Sequence, residues 1–356
     1  MDVYNAFLQG DLKEEVFMQF PPRFGSQGGD QACRLLKSLN GLKQASRKWN
    51  LKITNTLLSA GFIQSQQDHS LFVLKRNSRQ VIIIVYVDDL LITGDDKDLI
   101  QEAKCVLHAA FKIKDLGPLK YFSGIEICRS KKGILLCQRK YTLELIAELG
   151  LGGCKPTLTP LEQNQKLTSL EYDQQCGGLE NDPHLPNVRG YQMLIGKLLY
   201  LTLTRPDIAY SVQTLSQFMQ DPKKSHLEVA HRVVRYLKNE PGLGVLMHAE
   251  GKGILTVFCD ADWARCPNSR RSVTGYTVKL GQSLISWKSK KQNTVASCLA
   301  ESEYRSMALT VSELIWLIDL FKCVGVDVPT PIQLFTGSKS AMQIANNPVF
   351  PRGQSI

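Results

Sequence analysis

Several ready explanations of function are missing from this chain of 356 residues. No two cysteines form a C-x-x-C pair and no Cys/His group has zinc spacing, which removes zinc modules and thioredoxin-like redox motifs. The ten cysteines (33, 105, 128, 137, 154, 176, 259, 266, 298 and 323) are scattered. They read as buried, reduced thiols of an intracellular protein, cytoplasmic or nuclear. Met1-Asp2-Val3-Tyr4-Asn5 carries neither the basic nor the apolar part of a secretory leader. No apolar stretch reaches the length of a membrane span, the longest being cut by Asp88-Asp89, so a soluble protein with no membrane partner is expected. No internal repeat of fixed period is present.

What remains is an ordinary globular composition, 43% apolar and 21% charged. The length exceeds one typical core and calls for two or three domains. The net charge of +10 fits a polyanionic partner such as nucleic acid, although basic proteins without one exist.

Along residues 1–150, strands and helices mix. Trp49, Ile53, Leu57 and Ala60 line one face of a helix over 44–60, stopped by Gly61. Strands are expected at 71–75 and 81–87, around a turn at Asn77-Ser78, and at 120–128 and 134–138, joined at Lys131-Lys132-Gly133. Helices are expected at 98–111 and 141–149. Residues 151–189, broken by Pro156, Pro160, Pro183 and Pro186, read as a linker. Residues 190–248 read as mostly helical (193–201, 207–219 and 226–237), punctuated by Pro222 and Pro241. Residues 249–356 return to strands at 255–259, 273–280 and 283–287. A long helix follows, with Tyr304, Met307, Ala308, Val311, Ile315 and Ile318 as its apolar stripe.

The most informative residues are Tyr86-Val87-Asp88-Asp89, set between the apolar runs Val81–Val85 and Leu90–Ile92. β-branched runs of this kind read as buried strands, which puts both aspartates at a hairpin tip. Paired carboxylates on a rigid edge suit two-metal phosphoryl transfer, where the ions lie about 4 Å apart. Asp-Asp is also ordinary turn chemistry.

Val85-Tyr86-Val87-Asp88-Asp89-Leu90-Leu91-Ile92-Thr93-Gly94 resembles the signature of copia-type retrotransposon reverse transcriptases. So do Asp2-Val3 with Ala6-Phe7-Leu8-Gln9-Gly10-Asp11-Leu12, Ser38-Leu39-Asn40-Gly41-Leu42-Lys43-Gln44, and Asp115-Leu116-Gly117 with Tyr121-Phe122. Thr204-Arg205-Pro206-Asp207-Ile208-Ala209-Tyr210 resembles the connection segment of the same polyproteins. Asp260-Ala261-Asp262-Trp263, Arg270-Arg271-Ser272-Val273-Thr274-Gly275-Tyr276, Ile285-Ser286-Trp287-Lys288 and Ala300-Glu301-Ser302-Glu303-Tyr304 resemble their ribonuclease H region.

The resemblance implies an α+β protein: a palm and thumb-like region over 1–150, a linker, a helical connection over 190–248, and a ribonuclease H-like mixed α/β domain over 249–356. It implies an RNA-directed DNA polymerase with Asp2, Asp88 and Asp89 as catalytic metal ligands, and two Mg2+ or Mn2+ ions as cofactors. Tyr86 would lie by the primer end, Gly41 and Gln44 by the template and incoming nucleotide, and Tyr121 to Ile125 would grip the primer. Strand filler, a turn and core packing are the plain alternatives for Tyr86, Gly41 and Phe122. In the second domain the resemblance assigns Asp260 and Glu303 to two metals, with Glu303 placed in the first turn of the long helix. Arg270, Arg271, Lys288, Lys290 and Lys291 would line a groove for an RNA–DNA hybrid. The implied partners are an RNA template, a DNA primer and the hybrid. Acids favour helix N-termini in any case, which offers a plain account of Glu301 and Glu303, and Asp262 reads equally as a surface residue.

The chain also departs from the family pattern. The fingers region that precedes the first catalytic aspartate is not present before Met1, leaving Asp2 open to fraying. Gly337, in Thr336-Gly337-Ser338-Lys339, stands where the family has a further metal-binding aspartate, and the family's last acidic segment does not follow Phe350. Asn40, Ser46 and Ser123 replace family Tyr, Pro and Leu. These departures lead to the expectation of weak or absent polymerase activity and an inactive ribonuclease H half. The alternative is a non-catalytic nucleic-acid-binding remnant of a retroelement.

Overall fold

The structure, a computed structural model, describes residues 1–20, 32–163, 165–176, 182–251 and 253–347. The chain divides into two compact units. One comprises Met1–Leu119 with Trp316–Asp327; the other comprises Lys120–Ile315 with the residues from Val328 onward.

The first unit is built on β1 (Asp2–Val3), β4 (Ile63–Gln64), β5 (Leu71–Arg76), β6 (Arg79–Tyr86), β7 (Asp89–Gly94) and β8 (Ile113–Lys114), with a separate hairpin of β2 (Phe17–Gln19) and β3 (Ala32–Arg34). The main sheet runs β4-β5-β6-β7-β1-β8. β6 alternates buried Val81, Ile83 and Val85 with half-buried Ile82 and Ile84, so one face carries the core. α1 (Ala45–Ser59) and α2 (Lys97–Ala110) cover that core through Trp49, Ile53, Leu57, Ala103 and Leu107. α2 starts where the Asp96 carboxylate accepts a hydrogen bond from Leu99 N–H at 2.8 Å, a side-chain N-cap. α1 ends at Gly61, whose φ of +88° lets the chain reverse so that Phe62 N–H donates to Leu57 O.

The second unit holds two four-stranded sheets. In one, β9 (Tyr121–Phe122), β10 (Ile125–Ser130), β11 (Gly133–Cys137) and β12 (Gly244–His248) run in the order β12-β11-β10-β9. The expected strand over 120–128 is therefore two strands, parted by left-handed Ser123 and Gly124. Around the core lie α3 (Arg139–Glu148), α4 (Leu170–Cys176), α5 (Val188–Leu201), α6 (Ala209–Ser216) and α7 (Lys224–Leu237), which bury Leu145, Tyr191, Leu198, Val212 and Val233. The other sheet runs β15-β14-β13-β16, with β13 (Leu255–Asp262), β14 (Val273–Leu280) and β15 (Ser283–Lys291) antiparallel. β16 (Gln333–Thr336) joins β13 in parallel, after α8 (Leu299–Cys323), and α9 (Lys339–Ala345) follows.

Four expectations need correction. The division between units falls after Leu119, not at 150, because β11 pairs along its length with β12, tying residues 133–137 to 244–248. Residues 151–189 contain a helix at 170–176 and are pinned by buried Lys223, whose ammonium meets Asp182 at 3.0 Å and also Asp173. Beside it, burial holds His226 down to about 4, so it is neutral at pH 7. In α8 the buried stripe is Ser302, Glu303, Ser306, Thr310 and Leu314, while Ile315 is exposed. Small hydroxyl residues allow close packing because their O–H groups are satisfied locally, Thr310 donating to Ser306 O and Ser302 to Leu299 O. Finally, all ten cysteines are free, as expected, but only Cys137, Cys259 and Cys266 are buried. Among the described residues no helix is long and apolar enough to cross a membrane.

Candidate active site

β6 and β7 pair with Tyr86 opposite Asp89, which leaves Val87 and Asp88 as the two-residue turn. Asp88 alone therefore occupies the tip, while Asp89 is the first residue of the returning strand. β1 lies between β7 and β8, and its register sets Asp2 opposite both Asp89 and Lys114. Val3 N–H donates to Asp88 O at 2.8 Å, and its side chain is buried. Asp2 is thus paired on both sides. Directly opposed residues on antiparallel strands have Cβ atoms about 5 Å apart, so Asp2 and Asp89 share one face beside Asp88. Burial, and then the charges of Asp88 and Asp2, push the Asp89 carboxyl above the usual carboxylate range.

Tyr86 ends β6 with its ring 57% exposed beside these acids. Gly41 has φ +94° with open space where a side chain would project, in the turn before α1. Gln44 is the N-cap residue of α1 and makes no side-chain cap bond. Sequence reasoning treated Trp49 of the same helix as core alone. The structure adds a polar contact: its Nε1–H donates to Val87 O at 2.6 Å. A tryptophan in an otherwise aliphatic stripe was the available signal, since a buried indole N–H seeks an acceptor. Tyr121 and Phe122 belong to the second unit.

In the second unit Asp260 and Glu303 are neighbours. Asp260 lies exposed on β13, and Ser306 Oγ of α8 donates to its carbonyl at 2.8 Å. Glu303 is 5% exposed. Burial first, and the Asp260 charge second, raise its carboxyl to about 7. Glu303 is the fifth residue of α8 and not in its first turn; Glu301 holds that place, accepting from Ser297 N–H at 2.7 Å and pairing with Arg305. The helix-dipole explanation therefore suits Glu301 and not Glu303. Asp262 is an exposed partner of Arg265 at 3.2 Å. β16 places Thr336 opposite Cys259, so Gly337 follows at the level of Asp260, with nothing within 4 Å of where its Cβ would be.

Of the five cations, three border two different cavities. Lys288 lines a cavity of about 510 Å³ with Asp260, Tyr210 and Trp287. Lys290 and Lys291 border another of about 360 Å³ with Arg305. Arg270 and Arg271 line neither. The Lys291 ammonium donates to the Gln217 side chain at 2.6 Å.

Among the described residues no three His, Cys, Asp or Glu side chains are gathered closely enough to hold a metal ion. The hairpin nevertheless fits a divalent cation by its chemistry, since hard cations take carboxylate oxygen, and such a cation would offset both the burial and the neighbouring charges that raise Asp89. The second unit offers two carboxylates and, at Gly337, no donor.

Comparison with known proteins agrees with these motifs. The family described as reverse transcriptase (RNA-dependent DNA polymerase) matches residues 1–163. Over 351 residues the chain is 40% identical to the retrovirus-related Pol polyprotein from transposon RE2 of Arabidopsis thaliana, covering 98% of this chain and 23% of that protein. The Pol polyprotein from transposon TNT 1-94 of Nicotiana tabacum is 34% identical over 98% of this chain and 26% of its own length. A putative transposon Ty5-1 protein of Saccharomyces cerevisiae is 33% identical over 88% of this chain and 100% of its own length. The chain thus spans about a quarter of the curated Pol polyproteins it matches. With this likeness along nearly its whole length, the chain belongs to the reverse-transcriptase family of copia-type retrotransposon Pol polyproteins.

Proposed function

We propose that the first unit carries an RNA-directed DNA polymerase site at Asp2, Asp88 and Asp89, acting on a DNA primer paired to an RNA template. The observation that carries this reading is the register of Asp2 against Asp89, next to Asp88 in the turn. These three carboxylates would hold two Mg2+ or Mn2+ ions, which when bound activate the primer hydroxyl and neutralise charge on the triphosphate. Tyr86 supplies an exposed ring beside the acids for the primer end, and Gly41 offers open backbone where a nucleotide can approach.

For the second unit we propose a ribonuclease H-like domain that holds an RNA–DNA hybrid without cutting it. Three antiparallel strands, a long helix and a fourth strand parallel to the first support the fold. Asp260 and Glu303 support the site, and Gly337 beside Asp260 accounts for the proposed loss of cleavage. Removing even an outer-shell partner of a metal site costs about 10–100-fold.

Primer extension on an RNA template with Mg2+ or Mn2+ tests the first reading against an Asp88→Asn, Asp89→Asn variant. Equal signal from both proteins would overturn it. A non-catalytic nucleic-acid-binding role is the second reading, favoured by Gly337 and the net charge of +10. It requires hybrid binding that weakens steeply as salt rises.

A further inference from the structure

Trp49 stands on α1 in the buried stripe Ala45, Trp49, Ile53 and Leu57. It is 2% exposed and meets Phe111 edge-on, ring centroids 5.1 Å apart. A leucine would serve such packing. What a leucine lacks is the indole N–H, and this one donates to Val87 O at 2.6 Å.

Val87 is an unusual residue to find at that point. Its φ of +54° is left-handed, a conformation that β-branched residues rarely adopt. Its side chain is 46% exposed, so burial does little to offset the strain. A strained backbone persists only where its surroundings over-determine it. Here the carbonyls of both turn residues are held from outside the hairpin, Asp88 O by Val3 N–H of β1 and Val87 O by Trp49 of α1. α1 is itself fixed to the chain segment after β1. Lys52 Nζ donates to Gln9 O at 2.8 Å, and Gly10 lies so near that a Cβ there would come within 3.0 Å of Lys48 Cβ and 3.2 Å of Trp49 N.

We infer that Trp49 is a positioning residue for the acidic turn: its indole N–H fixes the Val87 peptide and thereby the direction of Asp88. The two outside donors divide the work. Val3 ties the turn to the strand that carries Asp2, and Trp49 ties it to the helix that begins at Gln44. The inference rests on the polymerase reading of the hairpin for its consequence in catalysis, but not for the contact itself.

The test replaces Trp49 in the full chain with 3-benzothienylalanine, an analogue of the same shape with sulfur in place of the N–H, alongside Trp49→Phe. Losing one hydrogen bond while keeping the ring should speed hydrogen exchange at the amides of residues 86–90 by about tenfold and leave those of 45–59 unchanged. The kcat for primer extension should fall by a similar factor, with the KM for nucleotide and the affinity for template-primer unaltered. Trp49→Phe should show both effects together with a lower thermal midpoint, since it also leaves a void. Unchanged exchange at 86–90 in the analogue would overturn the inference, as would faster exchange with unchanged kcat. Should the unaltered chain extend no primer, the polymerase reading fails by itself, and the exchange rates still decide whether Trp49 holds the turn.

Discussion

The two acidic centres are built in opposite ways. At the hairpin the carboxylates owe their places to backbone: strand register sets Asp2 against Asp89, and two external donors hold the turn carrying Asp88. In the second unit the pair depends on packing, for Glu303 is buried on α8 against β13. Burial raises both Asp89 and Glu303, yet Asp89 has Asp2 and Asp88 beside it and Glu303 has Asp260. A site held mostly by backbone leans on few neighbouring side chains, Trp49 being one. A site held by packing relies on each of its neighbours, and Gly337 brings no side chain to it.

Four variants test that contrast. The largest effect is expected from Asp88→Asn with Asp89→Asn: primer extension should fall at least about 100-fold, while the thermal midpoint holds or rises because mutual repulsion is removed. A large loss of folded protein would show that the hairpin leans on its side chains after all. Next comes Glu303→Gln. In the unfolded chain this carboxyl ionises near 4.5, whereas in the fold it keeps its proton until about 7. Stability of the unaltered protein should therefore fall as pH rises from 4.5 through 7. The variant should escape that fall, matching the parent at pH 5 and melting about 3–6 °C higher at pH 8. Identical midpoints at pH 8 would mean that the burial of Glu303 carries no cost.

Smaller still is Gly337→Asp, which has room for its side chain. Millimolar Mg2+ should raise its midpoint by about 2 °C more than it raises that of the parent. An equal response in the two proteins would remove Gly337 from the account of the second centre. The least effect is expected from Arg270→Ala, an exposed cation whose loss should reduce the salt slope of hybrid binding by about one; an unchanged slope would take it out of the hybrid contact.

Much of this arrangement was legible in the residues. The run Val81–Val85, the turn at Asn77-Ser78 and the strand over 273–280 were readable because alternation, turn chemistry and β-branching all agree there. Other features depend on partners distant in the sequence. Whether Asp89 belongs to the turn or the strand is decided by its pairing with Tyr86 and Asp2, and no local pattern encodes register. The buried face of α8 was misread because Ser302, Ser306 and Thr310 look like surface residues until a sheet packs on them. Five basic residues close in sequence suggested one groove; Lys288 borders one cavity, Lys290 and Lys291 another, and the Lys291 ammonium is engaged by Gln217. Trp49 was legible as core; its second role needed the position of a carbonyl on another element.

The ladder between β11 and β12 bears on how the molecule is made. Ile134 finds Met247 and Leu136 finds Val245 only after more than a hundred further residues have emerged. Until then Gly133–Cys137 presents an open strand edge, the kind of surface on which chains aggregate. Pairings this distant close late and slowly. A fragment ending at residue 163, where the family match ends, would retain the acidic hairpin and carry that edge permanently. Its yield would be set by β11, while its acidic cluster would still reside in β1, β6 and β7.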